Sequence, residues 1–228
     1  MGSQLDLRTR GAPPLRTDLG DGAGPEAGPE AGIEAGSAAW IDLWPELVPD
    51  PDGAWMAGLV DELPLAVEVY RIGGREVRSP RLVSWHGDPG TGYAYSGVPH
   101  EPAPWTPRLA ALRARVEAAT GLRFNSVLAN LYRDGQDSVG WHADAEPEIG
   151  PTVEDRWVAS LSFGHARRFV LCHKKTGARH ELSLGNGALL VMRGTTQSHY
   201  RHSVPKTARP VGPRLNLTFR HVVPRAGR

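Results

Sequence analysis

The sequence predicts a mainly β protein with flanking helices, built as an antiparallel sandwich or barrel. Downstream of Gly121, short runs with β-like patterning are separated by turn residues, and no helical pattern lies between them. These runs are 126–132, 158–163, 168–173, 180–184, 188–192, 199–204 and 214–222. Many short strands without interleaved helices are typical of antiparallel architectures, and the mouth of such a barrel is a common ligand site.

One helix is predicted on the amino-terminal side of these strands. Thr106 is expected to be its N-cap, with Pro107 at the first helical position, and Gly121 ends it. Between them, apolar residues recur every three or four positions, at Leu109, Leu112, Val116 and Ala119. This spacing predicts a helix that packs on the outside of the sheet. Farther upstream, runs 65–70 and 80–85 are broken by Gly and Pro clusters, which indicates strands and loops.

The length of 228 residues favours one folded domain that carries a tail. Residues 20–36 form a degenerate repeat of Gly, Ala, Pro and Glu, which offers almost nothing to bury. We therefore predict that residues 1–38 are a disordered acidic leader and that residues 39–228 are a single domain. A tail that binds or tethers a partner is the functional alternative for the leader.

Composition excludes two classes of protein. No apolar run approaches the roughly 20 residues that span a bilayer, so a membrane protein is not predicted. Cys172 is the single cysteine, which excludes a secreted disulfide scaffold. Because the amino terminus also lacks the apolar stretch of a signal peptide, we expect a cytoplasmic location.

The net charge of +1 conceals two oppositely charged segments. Residues 1–62 carry three arginines and twelve acidic residues, so the remainder of the chain has a balance of +10. A basic domain suits a polyanionic partner. An ordinary basic surface on a soluble domain is the alternative interpretation.

His142 and Asp144 are the first candidate metal ligands. Residues two apart on an extended segment point to the same side, so an imidazole and a carboxylate would face a common point. A third ligand can come from His199 or His202, of which only one would reach a barrel interior because their separation is odd. Two histidines and one carboxylate form the facial triad of non-haem Fe(II) oxygenases, but zinc hydrolases use the same set. A hydrogen-bonded surface pair is the alternative for His142 and Asp144 alone.

The segment 214–220 has two different faces at period two. Arginines and polar residues occupy one face, at Arg214, Asn216, Thr218 and Arg220, and apolar residues occupy the other. If the polar face lines a cavity, its two guanidinium groups require anions, and a small dicarboxylate would satisfy both. A solvent-facing strand is the alternative. Asn130 and Tyr132 also share a face and could complete a dicarboxylate site, unless Tyr132 is an ordinary core residue.

Together these motifs resemble the AlkB family of Fe(II)/2-oxoglutarate dioxygenases, and in particular its DNA-repair branch, which includes duplex-acting members. The resemblance spans about residues 80–222, with its motifs in the family's order. The matching segments are Asn130-x-Tyr132, His142-x-Asp144, the run at 159–164, the His202-Ser-x-Pro run and Arg214-x-Asn216-x-Thr-Phe-Arg220.

The resemblance implies a double-stranded β-helix, or jelly roll, that binds iron through His142, Asp144 and His202. It also implies that 2-oxoglutarate is bound by Asn130, Tyr132, Arg214, Asn216 and Arg220. The implied reaction uses dioxygen to hydroxylate N-methyl groups of N1-methyladenine and N3-methylcytosine in DNA, which then lose formaldehyde. No protein nucleophile is required.

The resemblance also implies a nucleotide-recognition lid at about residues 65–100. Tyr93, Tyr95 and Ser96 would contact the flipped base, and Glu146 would contact its exocyclic nitrogen. A solvated loop acid is the alternative for Glu146. Ile72 is the candidate wedge for the space left by the flipped base, where duplex-acting relatives have a larger aromatic residue.

Several basic residues are candidate phosphate contacts, with an ordinary surface charge as the alternative for each: Arg71, Arg75, Arg167, Arg168, Lys174 and Lys175. We expect the partner to be methylated DNA, with no membrane, and the protein to be a monomer. The alternatives are the same chemistry on RNA, hydroxylation of a protein or small molecule, and a non-catalytic nucleic-acid-binding jelly roll.

Overall fold

A computed structural model of the chain describes residues 13–20, 39–72, 75–95, 98–146, 148–150 and 156–223. The helices are α1 (Ala54–Glu62), α2 (Pro107–Thr120) and α3 (Thr196–His199). The strands are β1 (Leu15–Asp18), β2 (Ala39–Trp44), β3 (Ala66–Ile72), β4 (Arg75–Gly87), β5 (Tyr93–Tyr95), β6 (Val98–His100), β7 (Ser126–Tyr132), β8 (Val139–His142), β9 (Val158–Gly164), β10 (Arg167–His173), β11 (Arg179–Leu184), β12 (Leu189–Gly194), β13 (Tyr200–Val204) and β14 (Arg214–Arg220). Across these ranges, no helix has both the length and the apolar composition needed to span a membrane.

The strands form two principal antiparallel sheets. The larger sheet has the order β1-β2-β12-β9-β14-β7-β4-β3, and the smaller one has the order β11-β10-β13-β8. Buried side chains from both sheets, such as Ile41 on β2 and Leu171 on β10, pack in one apolar cluster. The two sheets therefore face each other as a sandwich, and the predicted mainly β antiparallel fold is confirmed.

A second apolar cluster lies between the larger sheet and the helices. Leu109, Leu112 and Val116 of α2 are buried there, together with Leu59 of α1. The Thr106 side chain accepts a hydrogen bond from the backbone N–H of Leu109 at 3.2 Å. Gly121 follows the helix with φ 70°, a left-handed conformation that glycine adopts at little cost. The predicted helix and both of its end signals are thus confirmed.

The short helix α1 was not predicted from the sequence. Its first backbone N–H groups are held by Asp50, whose two carboxylate oxygens accept hydrogen bonds from Trp55 at 2.9 Å and Met56 at 3.1 Å. The helix begins after Gly53, which has φ 73°. Because the capping carboxylate lies outside the usual N-cap position, the local pattern contains no ordinary start signal.

The prediction that all of residues 1–38 are disordered is wrong for part of the leader. Strand β1 pairs with β2 at the edge of the larger sheet. Nε of Arg16 donates to buried Asp42 at 2.9 Å, and the hydroxyl of Tyr200 donates to the carbonyl of Leu19 at 2.6 Å. The open edge of β2 supplies hydrogen bonds that the leader's composition does not reveal. Residues 1–12 and 21–38 lie outside the described residues.

Gly187, in the turn before β12, is expected to tolerate no side chain. Its φ is 76°, and an added Cβ would lie 2.4 Å from the carbonyl oxygen of Val48. Gly187→Ala should therefore lower the free energy of unfolding by about 2 kcal/mol or more in urea denaturation. Gly185→Ala is the matched control, because an added Cβ there meets nothing within 4 Å. Equal stability of the two variants would contradict the prediction.

Candidate active site

One cavity of about 640 Å³ opens between the two sheets. Its walls come from β7 and β14 of the larger sheet and from β8 and β13 of the smaller sheet. The polar face of β14 lines it, while Leu215, Leu217 and Phe219 of the same strand are fully buried in the core behind it. The polar face predicted at period two therefore faces a cavity and not bulk solvent.

The cavity holds a cluster of two histidines and one aspartate. His142 ends β8 and lies directly opposite His202 on β13. With Asp144, these residues offer three ligand atoms that all lie within 4.8 Å of one another. Nε2 of His202 is 3.4 Å from Oδ2 of Asp144. This donor set suits a divalent transition metal that keeps open coordination positions.

His199, the other histidine considered from the sequence, lies away from this cluster. It ends α3, and its ring is 6.1 Å from the ring of His173. The structure thus selects His202 over His199 as the third member of the triad.

The backbone orients His142 for metal binding. Nδ1 of His142 is 2.9 Å from the carbonyl oxygen of Gly140, and a carbonyl can only accept, so Nδ1 carries the proton. The lone pair of Nε2 is consequently available to a metal. Burial, with a smaller contribution from the charge of His202, lowers the pKa of His142 to about 4, so the ring is neutral at pH 7.

Asp144 is ionised although it is buried. Burial raises the pKa of its carboxyl group, but the neighbouring Arg220 guanidinium and the imidazole of His202 outweigh that effect and hold the pKa well below its usual range. Nη2 of Arg220 donates directly to Oδ1 of Asp144. The carboxylate is therefore a permanent anion at the centre of the triad.

Gln197 holds Asp144 in place and was missed by the sequence analysis. Its Oε1 accepts the backbone N–H of Asp144 at 2.9 Å, and its Nε2 approaches Sδ of Met192 at 3.4 Å. Gln197→Leu removes this acceptor at similar volume, so we expect metal affinity to fall about 10- to 100-fold. A Co(II) titration measures the change, and Gln136→Leu, on an exposed turn, is the control. Unchanged Co(II) affinity in Gln197→Leu would assign this residue a purely structural role.

A buried guanidinium marks the second half of the cavity. Arg214 is 1% exposed, and its Nη2 donates to Oγ of Ser162 at 2.9 Å. Its Nε and Nη1 have no hydrogen-bond acceptor among the described residues. Burial lowers the pKa of Arg214, an effect that the nearby Tyr132 opposes. A buried cation with two unpartnered N–H groups and no anionic partner among the described residues fits a carboxylate ligand.

The other predicted cofactor residues surround this arginine. Across the β7 and β14 pair, Arg214 lies opposite Tyr132, and Asn216 lies opposite Asn130. All four line the cavity and are buried. Arg220 lies at the far end of the same face, where it contacts the triad through Asp144. A dicarboxylate bound at Arg214 would therefore share one cavity with a metal at the triad.

Two polar partners near these residues were not found from the sequence. Nε of Arg81, on β4, donates to Oδ1 of Asn130 at 2.7 Å, and Nδ2 of Asn216 donates to Oγ of Ser160 at 2.7 Å. These bonds orient the two amide groups toward the cavity. Each partner belongs to a strand that is remote in sequence, so no local pattern could have shown the contact.

Comparison with known proteins identifies the family. Residues 47–220 match the model of the 2OG-Fe(II) oxygenase superfamily. The chain belongs to this superfamily. It is 41% identical over 167 residues to "DNA oxidative demethylase ALKBH2" of Bos taurus, a match that covers 70% of this chain and 59% of the relative. It is 42% identical over 167 residues to "Alpha-ketoglutarate-dependent dioxygenase alkB homolog 3" of Homo sapiens, covering 68% and 57%. The chain thus spans less than two thirds of these relatives.

A solved structure supports the fold of this oxygenase. The structure of OsALKBH1 superposes with a TM-score of 0.60 at 17% identity, covering 79% of this chain and 96% of that chain. The jelly-roll prediction and the AlkB resemblance are confirmed. Fe(II) and 2-oxoglutarate are the cofactors of the superfamily, and the triad and the Arg214 pocket fit them.

The segment predicted to form a lid is described only in part. Tyr93 and Tyr95 lie on β5, which pairs with β6, and Ile72 ends β3 opposite Arg75. The side chains of these three predicted contacts, and the whole of Ser96, lie outside the described residues. Glu146 borders the cavity near its exposed rim. Partial desolvation raises the pKa of Glu146, and the charge of Arg220 opposes that shift.

The predicted phosphate contacts divide into several groups. The prediction is wrong for Arg167, which is 3% exposed and donates to the backbone carbonyls of Asp134, Asp137 and Pro205. Its guanidinium joins loops of the fold and is inaccessible to a phosphate. Nζ of Lys174 likewise donates to two backbone carbonyls. The side chains of Arg75, Arg168 and Lys175 are exposed, and that of Arg71 lies outside the described residues.

Proposed function

We propose that this oxygenase removes N-methyl groups from N1-methyladenine and N3-methylcytosine in DNA. One observation carries the proposal: a single cavity contains both the candidate metal triad and a buried arginine with two nitrogens that have no acceptor among the described residues. Its volume of about 640 Å³ lies in the usual range for sites that enclose a small-molecule ligand. The similarity to relatives named as DNA oxidative demethylases supports a methylated base as the substrate.

Different residues of the cavity would bind the metal and the 2-oxoglutarate. His142, Asp144 and His202 would hold iron on one side and leave positions open for 2-oxoglutarate and dioxygen. Arg214 would bind one carboxylate of 2-oxoglutarate through its guanidinium, two nitrogens of which have no acceptor among the described residues. Asn130, Tyr132 and Asn216 would flank this ligand. Arg220, also predicted to bind 2-oxoglutarate, would do so beside the Asp144 carboxylate that it contacts.

The chemistry of the reaction would come from the cofactors. When bound, iron and 2-oxoglutarate convert dioxygen into the oxidant that hydroxylates the methyl group, with release of succinate and carbon dioxide. The hydroxymethyl substrate then loses formaldehyde and restores the unmodified base. The protein would supply position, because one cavity between the two sheets contains both the triad and Arg214.

The test is anaerobic reconstitution of the full chain with Fe(II) and 2-oxoglutarate, followed by admission of oxygen. The substrates are oligonucleotides that carry N1-methyladenine or N3-methylcytosine, as single- and double-stranded DNA and as RNA. Mass spectrometry of the bases is expected to show loss of the methyl group from DNA, dependent on both cofactors. Omission of either cofactor is the control.

Other outcomes would redirect the assignment. Loss of methyl groups from RNA alone would transfer the same chemistry to RNA. Succinate formation with every oligonucleotide left methylated would indicate a protein or small-molecule substrate. If neither succinate nor base changes, the iron site itself is not catalytic, and nucleic-acid binding without turnover becomes the function to test.

A further inference from the structure

An exposed tryptophan stands at the rim of the cavity. Trp141 is 42% exposed, borders the cavity and directly precedes the triad residue His142. The guanidinium carbon of Arg201 lies 5.2 Å from the centroid of its ring, and that of Arg179 lies 5.8 Å away. Tryptophan normally buries most of its large apolar surface, so this exposure points to a contact with a ligand.

The three side chains extend across the smaller sheet. Arg179 on β11 and Arg201 on β13 both pair in register with Cys172 on β10, from opposite sides. Strand β8, which ends with Trp141 and His142, is the next neighbour of β13. Both arginines are exposed, and neither forms an ion pair within the part of the chain that the structure describes. Two positive charges therefore face solvent beside an aromatic ring.

This combination has the chemistry of a nucleotide contact. An aromatic ring supplies a stacking surface for a base, and guanidinium groups bind phosphates and also stack on bases. An apolar partner would leave the two charges uncompensated, whereas an acidic peptide would leave the ring unused. A nucleic-acid strand uses both.

Building on the proposed function, we infer that Trp141, Arg179 and Arg201 bind the nucleotide next to the one whose base enters the cavity. We call these three residues the Trp141 platform. The neighbouring base lies against Trp141, and its phosphates contact the two guanidinium groups. Because a base offers its face only when it is unstacked and unpaired, the platform favours a single strand over a duplex.

The experiment measures binding of the full chain, loaded anaerobically with Fe(II) and 2-oxoglutarate, to a fluorescent oligonucleotide containing N3-methylcytosine. Trp141→Leu is expected to weaken single-strand binding about tenfold and to change duplex binding less than about twofold. Trp141→Phe keeps a stacking face and should stay within about threefold of the unmodified protein. In the double variant Arg179→Gln/Arg201→Gln, the slope of log Kd against log salt concentration should fall by about 1.4.

Arg115→Gln is the matched control for the arginines. The guanidinium of Arg115 also lies over a tryptophan, 5.3 Å from the ring of Trp55, but neither residue lines the cavity. This variant should keep both the affinity and the salt slope.

The outcomes separate this inference from the proposed function. If the protein demethylates DNA but Trp141→Leu and the double arginine variant bind single strands normally, the platform is refuted and the function stands. Equal weakening for single strand and duplex, together with weaker Co(II) binding, would show that Trp141 acts through His142 and would also refute the platform. If the unmodified protein neither binds nor demethylates any oligonucleotide, both the platform and the proposed function are refuted. Should Trp141→Leu fail to fold, the salt dependence of single-strand binding by the double arginine variant tests the platform, and an unchanged slope refutes it.

Discussion

Asp144→Ala is expected to reduce succinate formation to the background of a reaction without protein. The substitution removes the one anionic ligand of the triad, whose carboxylate lies 3.4 Å from Nε2 of His202 and is paired with Arg220. A metal with two neutral imidazoles and no carboxylate loses most of its electrostatic binding energy. Succinate is measured by mass spectrometry, and Co(II) binding by its visible absorption, which should also be lost.

A companion variant distinguishes loss of the metal from loss of the fold. Asp134→Ala removes an exposed carboxylate from the turn after β7 and should retain both succinate formation and Co(II) binding. Far-ultraviolet circular dichroism of Asp144→Ala should match that of the unmodified protein, because the substitution removes a cavity-lining carboxylate and no core hydrocarbon. Full turnover by Asp144→Ala would refute the assignment of the triad.

Arg214→Met is expected to raise the KM for 2-oxoglutarate at least about a hundredfold. The variant would remove the two charge-assisted hydrogen bonds that we propose Arg214 donates to a carboxylate of 2-oxoglutarate, each worth about 1.5–3 kcal/mol. The same change should leave the free energy of unfolding of the cofactor-free protein unchanged or higher. The reason is that Arg214 is 1% exposed and that two of its nitrogens lack acceptors among the described residues, so methionine removes an incompletely paired buried charge.

The expected combination for this site is a loss of affinity for 2-oxoglutarate without a loss of stability. The KM is measured by succinate formation at saturating oxygen, and stability by urea denaturation of the metal-free protein. Arg214→Lys keeps a charge but not the planar fork, so its KM should lie between those of the methionine variant and the unmodified protein. An unchanged KM in Arg214→Met would refute the dicarboxylate pocket. A large loss of stability with an unchanged KM would assign Arg214 to the core instead.

The local sequence patterns predicted more of the architecture than of its polar contacts. The strand runs and α2 follow from period-two and 3.6-residue spacings, which depend on nearby residues alone. Strand β1 and helix α1 were not predicted. Strand β1 forms only against the free edge of β2, which is distant in the sequence. Helix α1 is held by Asp50, which lies four residues before the helix begins and does not have the usual N-cap spacing.

In the candidate site, too, local patterns predicted the residue types that share a face but not their long-range polar contacts. The spacing of His142 and Asp144, and the alternation along β14, placed the ligand types on one side of the chain from sequence alone. The resemblance added His202 and the cofactor roles, and it was correct about the family. The prediction that Arg167 contacts a phosphate was wrong. The sequence does not show whether a basic side chain faces solvent or donates to backbone carbonyls, as Arg167 does.

The sequence by itself determined which side chains share a strand face, because that depends only on the two-residue repeat of extended backbone. It thereby determined the polar face of β14 and the pairing of His142 with Asp144. Only the tertiary structure decided that this face lines a cavity, that Gln197 supports Asp144, and that Trp141 stands exposed beside two arginines. These outcomes depend on which strands pair and how the two sheets pack, and those long-range contacts join residues that are far apart in the chain.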